Sequence, residues 1–217
     1  MDKNANRERY INLLKTAGEN RGAIVGYYDF DDTNLINYLD HNGFFEAPAS
    51  TKYGHSYAGG LCQHSLEVCD IMMKLNSTLK NPYPAESIIL VALLHDIYKA
   101  NYYEDTFINK KVYSANGSKY DENGRYDWVS EKSYKVKDAN DRLLISTGGV
   151  TSYMLLSSFI TLNNDETIAI VNSPIGLDNA TYHMDLPNIM HRCNLLTLLH
   201  SAEIMSNYCY DNLAEGE

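Results

Sequence analysis

One stretch decides most of what this chain can fold into. After Pro84, the residues Ile88, Ile89, Val91, Ala92 and Leu94 put apolar side chains on nearly every side of a helix that runs into His95. Pro84 suits the first turn of such a helix, where its missing N–H costs nothing. A helix that is apolar all round belongs in a core with other helices around it, so the predicted fold class is mainly α. The same helix delivers His95 and Asp96 to the interior, in the run Leu93-Leu94-His95-Asp96-Ile97-Tyr98-Lys99. A buried carboxylate is costly unless it is paired or metal-bound, and Leu94 and Ile97 offer Asp96 nothing. An imidazole and a carboxylate adjacent on the chain reach one cation only where the backbone turns both inward, as at the end of a buried helix.

Other helices must then supply further ligands. From Leu61 to about Leu79 the residues Leu61, Val68, Ile71, Met72, Leu75 and Leu79 keep one face, and His64, 31 positions before His95, lies on it. After Pro187, the residues Ile189, Met190, Cys193, Leu196, His200, Glu203 and Ile204 follow one helical stripe, which puts His200 and Glu203 on its inner side. Shorter helices are predicted from Asn4 to about Ala17, ending at Gly18, and from Thr33 to His41, capped by Asp32 or Thr33 and stopped at Gly43. Ala47-Pro48-Ala49-Ser50 reads as a turn or extended link. Two more helices follow at Val150 to Leu162 and, with Asp165 as N-cap, at Asp165 to about Val171. Between them, residues 101–142 change character: tyrosines interspersed with Asn116-Gly117 and Asn123-Gly124 predict a small β-hairpin insert.

At 217 residues, 44% hydrophobic and 21% charged, the chain fits one domain, 1–217, with N-terminal helices over 1–50. Its formal charge of -10 repels polyanions, so extended nucleic acid is a poor partner, whereas a small anion held at a cation stays possible. Cys62 and Cys69, seven apart on one helix, are about 10 Å apart along its axis, too far for a disulfide. Cys193 and Cys209 fit no zinc-finger spacing. With no apolar leader and no apolar run long enough to span a bilayer, the expectation is a reduced cytoplasmic protein without a membrane partner.

His64, the His95-Asp96 pair and a C-terminal acidic residue on separate helices resemble the HD-domain superfamily of metal-dependent phosphohydrolases, over most of the chain. Ala47-Pro48-Ala49-Ser50, His55 before Gly59-Gly60-Leu61, and Leu199-His200-Ser201-Ala202-Glu203 resemble compact HD proteins of phages and prophages. The resemblance implies an HD-domain-like helical bundle in which His64, His95 and Asp96 are metal ligands, with Asp96 also catalytic. Lys99 matches the lysine after the pair; it reads either as a phosphate-binding, catalytic cation or as a solvated surface residue. The family's C-terminal Asp is Glu203 here, one methylene longer, which coordinates only if the helix or side chain draws back. Two-metal relatives carry further histidines in middle helices, but the equivalent segments, Thr147-Gly148-Gly149-Val150 and Asn172-Ser173-Pro174-Ile175-Gly176, contain none. His183 and His191 read as surface or loop residues.

His55 and His200 have three open readings: holding Asp96 or Glu203 by a hydrogen bond, touching substrate phosphate, or simple packing. Tyr98, Tyr102 and Tyr103 read either as pocket walls that stack a base or as ordinary placements among 18 tyrosines. Mixed imidazole and carboxylate ligands suit one divalent transition metal, Mn, Fe, Co, Ni or Zn. The implied activity is metal-assisted hydrolysis of nucleotides or related phosphate esters. The rival readings are a degenerate module that binds a nucleotide or protein without turnover, and a structural interaction protein whose inward polar groups pair with one another.

Overall fold

Helix α4 (Ala85–Leu94) is the hub of the molecule, and every residue from Ser87 to Leu94 is buried. The structure, a computed structural model, describes residues 2–22, 32–52, 54–174 and 185–210. Around α4 pack α1 (Lys3–Gly22), α3 (Gly60–Asn76), α6 (Asn164–Val171) and α8 (Asn194–Met205). Further out lie α2 (Asp32–His41), α5 (Gly148–Leu156) and α7 (Leu186–Arg192). The mainly α expectation therefore holds among the described residues. Tyr10 of α1, fully buried, donates its hydroxyl to the Leu93 carbonyl at 2.6 Å, tying the N-terminal helix to the hub. No helix among the described residues is long and apolar enough to cross a membrane.

Several predicted boundaries move, each for a tertiary reason. Helix α1 does not stop at Gly18 but runs on to Gly22, because Arg21 is buried and bonded to the Glu166 carboxylate and the Thr161 carbonyl. Those bonds outweigh the roughly 1 kcal/mol cost of an internal glycine. The helix predicted over Val150–Leu162 ends at Leu156, and the next is capped by Asn163, not Asp165. Asn163 and Glu166 form a reciprocal capping box, while Asp165 accepts the Tyr83 hydroxyl at 3.0 Å. The single long helix predicted after Pro187 is two helices, α7 and α8, broken at Cys193, whose backbone is extended and whose thiol approaches the Asp165 carbonyl at 3.5 Å. Beyond Met205 the chain winds into a wider π-helical turn, Ser206–Tyr210.

The insert is a three-stranded antiparallel sheet where a simple hairpin was predicted: β1 (Tyr103–Tyr113), β2 (Lys119–Asp121) and β3 (Gly124–Val136), in spatial order β1-β3-β2. Both predicted turn signals sit at its bends. Gly117 accepts the close approach of the Tyr126 backbone, where a Cβ would lie 2.4 Å from nitrogen, and Gly124 closes the β2–β3 turn at φ +119°. At the root of the sheet, Tyr103 donates its hydroxyl to the Ala49 carbonyl at 3.2 Å.

Candidate metal centre

Three helices converge at the C-terminal end of α4. His95 is the residue directly after the last turn, and Asp96 opens a single 3-10 turn, Ile97–Lys99, so the chain tightens where both side chains face inward. His64 comes from α3 and Glu203 from α8. One donor atom from each of these four residues lies within 4.8 Å of all the others. His95 Nε2 is 2.9 Å from Glu203 Oε1 and 3.5 Å from Asp96 Oδ2, and His64 Nε2 is 4.0 Å from Asp96 Oδ2. Donors about 2.1 Å from one cation stand about 4.2 Å apart when opposite, so shifts of a few tenths of an ångström close this set around an ion. Glu203 reaches the cluster despite its extra methylene.

The two imidazoles are held in the tautomer such a centre needs. His95 Nδ1 bonds the Ala92 carbonyl at 2.9 Å, which fixes its proton there and turns Nε2 toward the carboxylates. That Nε2 is fully buried and faces the Asp96 and Glu203 carboxylates, two other donors of the cluster. His64 Nδ1 faces the Ser206 hydroxyl at 3.1 Å, and Ser206 donates onward to Glu67 Oε2 at 3.1 Å. A carboxylate only accepts, so Ser206 takes the His64 proton and the His64 Nε2 lone pair points into the cluster. Glu67 also pairs with His55 Nε2 at 2.7 Å and accepts from Gln63 at 2.8 Å. Donors, histidine-orienting partners and a carboxylate behind them together fit a divalent cation bound by imidazole and carboxylate.

The field of the centre draws positive charge. Burial pushes the His95 pKa down, but Asp96 and Glu203 outweigh it and carry it up to about 10. Burial would raise the Asp96 pKa, yet Lys99 and His95 hold it well below the usual carboxylate range. Burial, helped by His95, keeps the His64 pKa well below 6.5.

Lys99 is three residues from Asp96 and holds Oδ2 at 2.6 Å, so it is no free surface lysine. With His64, Asp96 and Glu203 it lines an open cavity of about 300 Å³ whose other walls include Ser50, Tyr98, Asn207 and Tyr208. Tyr98 is therefore a wall, packed so closely over Gly148 that a Cβ there would fall 2.4 Å from the ring. Tyr102 and Tyr103 stack edge-on behind it and do not line the cavity.

His55 and His200 are not among the four donors, although the His55 ring lies 5.4 Å from that of His64. His55 pairs with Glu67 at a left-handed φ of +53°, in a loop that crosses the start of α3. That crossing explains Gly60: a Cβ there would lie 2.0 Å from the His55 carbonyl oxygen. His200 Nε2 bonds the Asn172 carbonyl at 3.0 Å, and burial lowers its pKa. His191 is exposed on α7, and His183 falls outside the described residues. Glu67 and Ser206 were absent from the sequence reading. Glu67, three residues after His64 on the same face, was the available signal; Ser206 had none.

No family model matches the chain, and no solved structure matches it. Over 58 residues it is 45% identical to a dihydroneopterin 2′,3′-cyclic phosphate phosphodiesterase of Methanocaldococcus jannaschii. That match covers 25% of this chain and 23% of that protein. The chain is thus similar, over a short segment, to an enzyme named for cleaving a phosphate diester.

Proposed function

We propose that this chain is a metal-dependent phosphohydrolase of the HD type, acting on small phosphate esters. His64, His95, Asp96 and Glu203 would hold one divalent transition metal, which when bound supplies Lewis acidity toward water and a phosphoryl oxygen. The protein's own groups do the rest. Asp96 and Glu203 would provide the negative charge that retains a cation, and Asp96, facing the cavity and bonded to Lys99, would orient a water there as a hydrogen-bond acceptor. Lys99 stands beside it as the positive charge for a phosphate entering from the open side. Ala92 and Ser206 keep both ring protons away from the donors, and Tyr98 walls off one side of the cavity from solvent.

The single observation that carries this reading is the meeting, in the interior, of four ligating atoms from three helices within 4.8 Å of one another. The local likeness to a cyclic phosphate phosphodiesterase supports a phosphate diester, cyclic or nucleotide-derived, as the substrate class. The test has two parts: elemental analysis of the purified protein, then phosphate-ester cleavage with added Mn, Co or Zn on a panel of nucleotides, linear diesters and 2′,3′-cyclic phosphates. The expected outcome is about one transition metal per chain and metal-dependent cleavage. Absence of metal overturns the proposal; bound metal with no turnover on any ester overturns the hydrolase and leaves a binding module.

A further inference from the structure

The sheet carries an unusual edge. Strand β1 is 11 residues long, pairs with β3 without a bulge from Tyr103↔Val136 to Tyr113↔Tyr126, and no other strand among the described residues pairs with its opposite side. Phe107 is 71% exposed and Ile108 is 49% exposed. Proteins usually blunt such an edge with proline, a bulge, a very short strand or charged side chains, because open N–H and C=O groups invite another strand. β1 has no proline or bulge and is not short, and its four charged residues, Glu104, Asp105, Lys110 and Lys111, are paired within the sheet and leave its outward N–H and C=O groups open.

The hydrogen-bond pattern fixes which groups are open. Lys137 donates to the Tyr102 carbonyl and Ser114 donates to the Arg125 carbonyl, at the two ends of the same ladder. Even-numbered residues of β1 therefore bond to β3, and the N–H and C=O of Tyr103, Asp105, Phe107, Asn109, Lys111 and Tyr113 point outward. Charge along the strand is polarised: Glu104 and Asp105 lie near the start, Lys110 and Lys111 near the end. Parallel, in-register pairing with another β1 would set like charge on like. Antiparallel pairing sets the acidic end of one strand against the basic end of the other.

We infer that β1 is a self-complementary docking edge that pairs antiparallel with β1 of a second copy of this chain, forming a six-stranded sheet about a dyad at Ile108. Only residues of equal parity can oppose each other across a dyad perpendicular to a sheet, so the outward groups meet outward groups. Asp105 of each copy then faces Lys111 of the other, Phe107 faces Asn109, and Tyr103 faces Tyr113. A dyad at Asn109 removes every such opposition, and one at Phe107 replaces it with Glu104 against Lys110, so the charge-swap variants below decide the register.

Sedimentation of the full chain tests the inference. Wild type is expected to be a dimer in equilibrium with monomer, and Asn109→Pro, which removes one outward N–H and leaves the β1–β3 ladder intact, is expected to be a folded monomer by sedimentation and circular dichroism. Asp105→Lys and Lys111→Asp, each alone, place like charges opposite each other twice per dimer and should weaken self-association about tenfold or more. An equimolar mixture of those two variants restores opposite charge at both positions, so it should re-form a mixed dimer. A wild type that stays monomeric at the highest attainable concentration overturns the inference, as does a dimer that survives Asn109→Pro. Failure of the mixed pair to reassociate overturns the register.

Discussion

Two clusters of buried charge flank the same helix, and only one of them has chemistry left to do. At the start of α4, Arg21 and Glu166 have side chains only 4% and 1% exposed, and the Glu166 carboxylate is saturated. It takes both Arg21 nitrogens, the Ser87 hydroxyl at 2.7 Å and the Asn163 amide at 2.9 Å. At the other end of α4, His64, His95, Asp96 and Glu203 bring four ligating atoms within 4.8 Å of one another beside an open cavity. Burial and charge are common to both clusters. What separates a structural lock from a candidate centre is that the second offers imidazole and carboxylate ligands to an open cavity, whereas the first is an arginine–carboxylate pair closed by hydrogen bonds.

The comparison breaks if the open cluster is as inert as the closed one. The largest effect is expected from Asp96→Asn, which should remove retained metal and lower phosphate-ester turnover ~10³-fold or more, the scale of several kcal/mol of transition-state stabilisation. Metal content by elemental analysis, read beside the rate, checks it. Arg21→Met strands the Glu166 carboxylate in the interior and should cost about 3–5 kcal/mol in chemical denaturation, with metal content unchanged. Adding Glu166→Leu to that variant should recover most of the loss, because what costs is an uncompensated charge and not the missing pair. Recovery in the double variant is the sharpest sign that the lock is structural.

Smaller effects sharpen the same contrast. Ser206→Ala frees the His64 ring proton and should weaken metal binding about 10–100-fold, measured by competition with a chelating dye. Its stability should change by only about 1 kcal/mol. Burial, with Cys62 and Cys69 adding to it, raises the Tyr10 pKa well above 10. A group that ionises more easily in the unfolded chain draws stability down as pH rises, so the Tyr10 contribution is complete below about pH 10 and is lost above it. Tyr10→Phe should flatten that alkaline slope in pH-dependent denaturation, at a cost of about 1 kcal/mol for the bond to Leu93.

The parts of this architecture that were legible in the sequence are those encoded within a few turns of chain. The all-round apolarity of Ile88 to Leu94 marked the hub, and the stripes carrying His64 and Glu203 turned both toward it. The α7–α8 break was hidden because Ile189 to Ile204 keep helical spacing across Cys193. The extended backbone of Cys193 interrupts the helix, beside contacts from its thiol to Asp165, 28 residues earlier, and from Thr197 to the Met190 carbonyl. Glu67 reads as an ordinary solvated residue until Ser206, 139 positions later, and the His55 loop close over it. Arg21 likewise looks like a surface cation past a helix stop, because its partner is 145 residues away. Strand β2, three residues long, carries too little pattern to be distinguished from a turn.

The fit between Gly60 and the His55 carbonyl sets the direction of traffic. With room there for a hydrogen and nothing larger, the loop rests on the first turn of α3, and its His55 joins Glu67, Ser206 and His64 in one chain of contacts. The partly exposed members are Lys99 and Glu203, 18% and 22% open, on the opposite flank. For the phosphate ester proposed above, the approach would run past Lys99 and Glu203, a positive and a negative group, before the imidazoles.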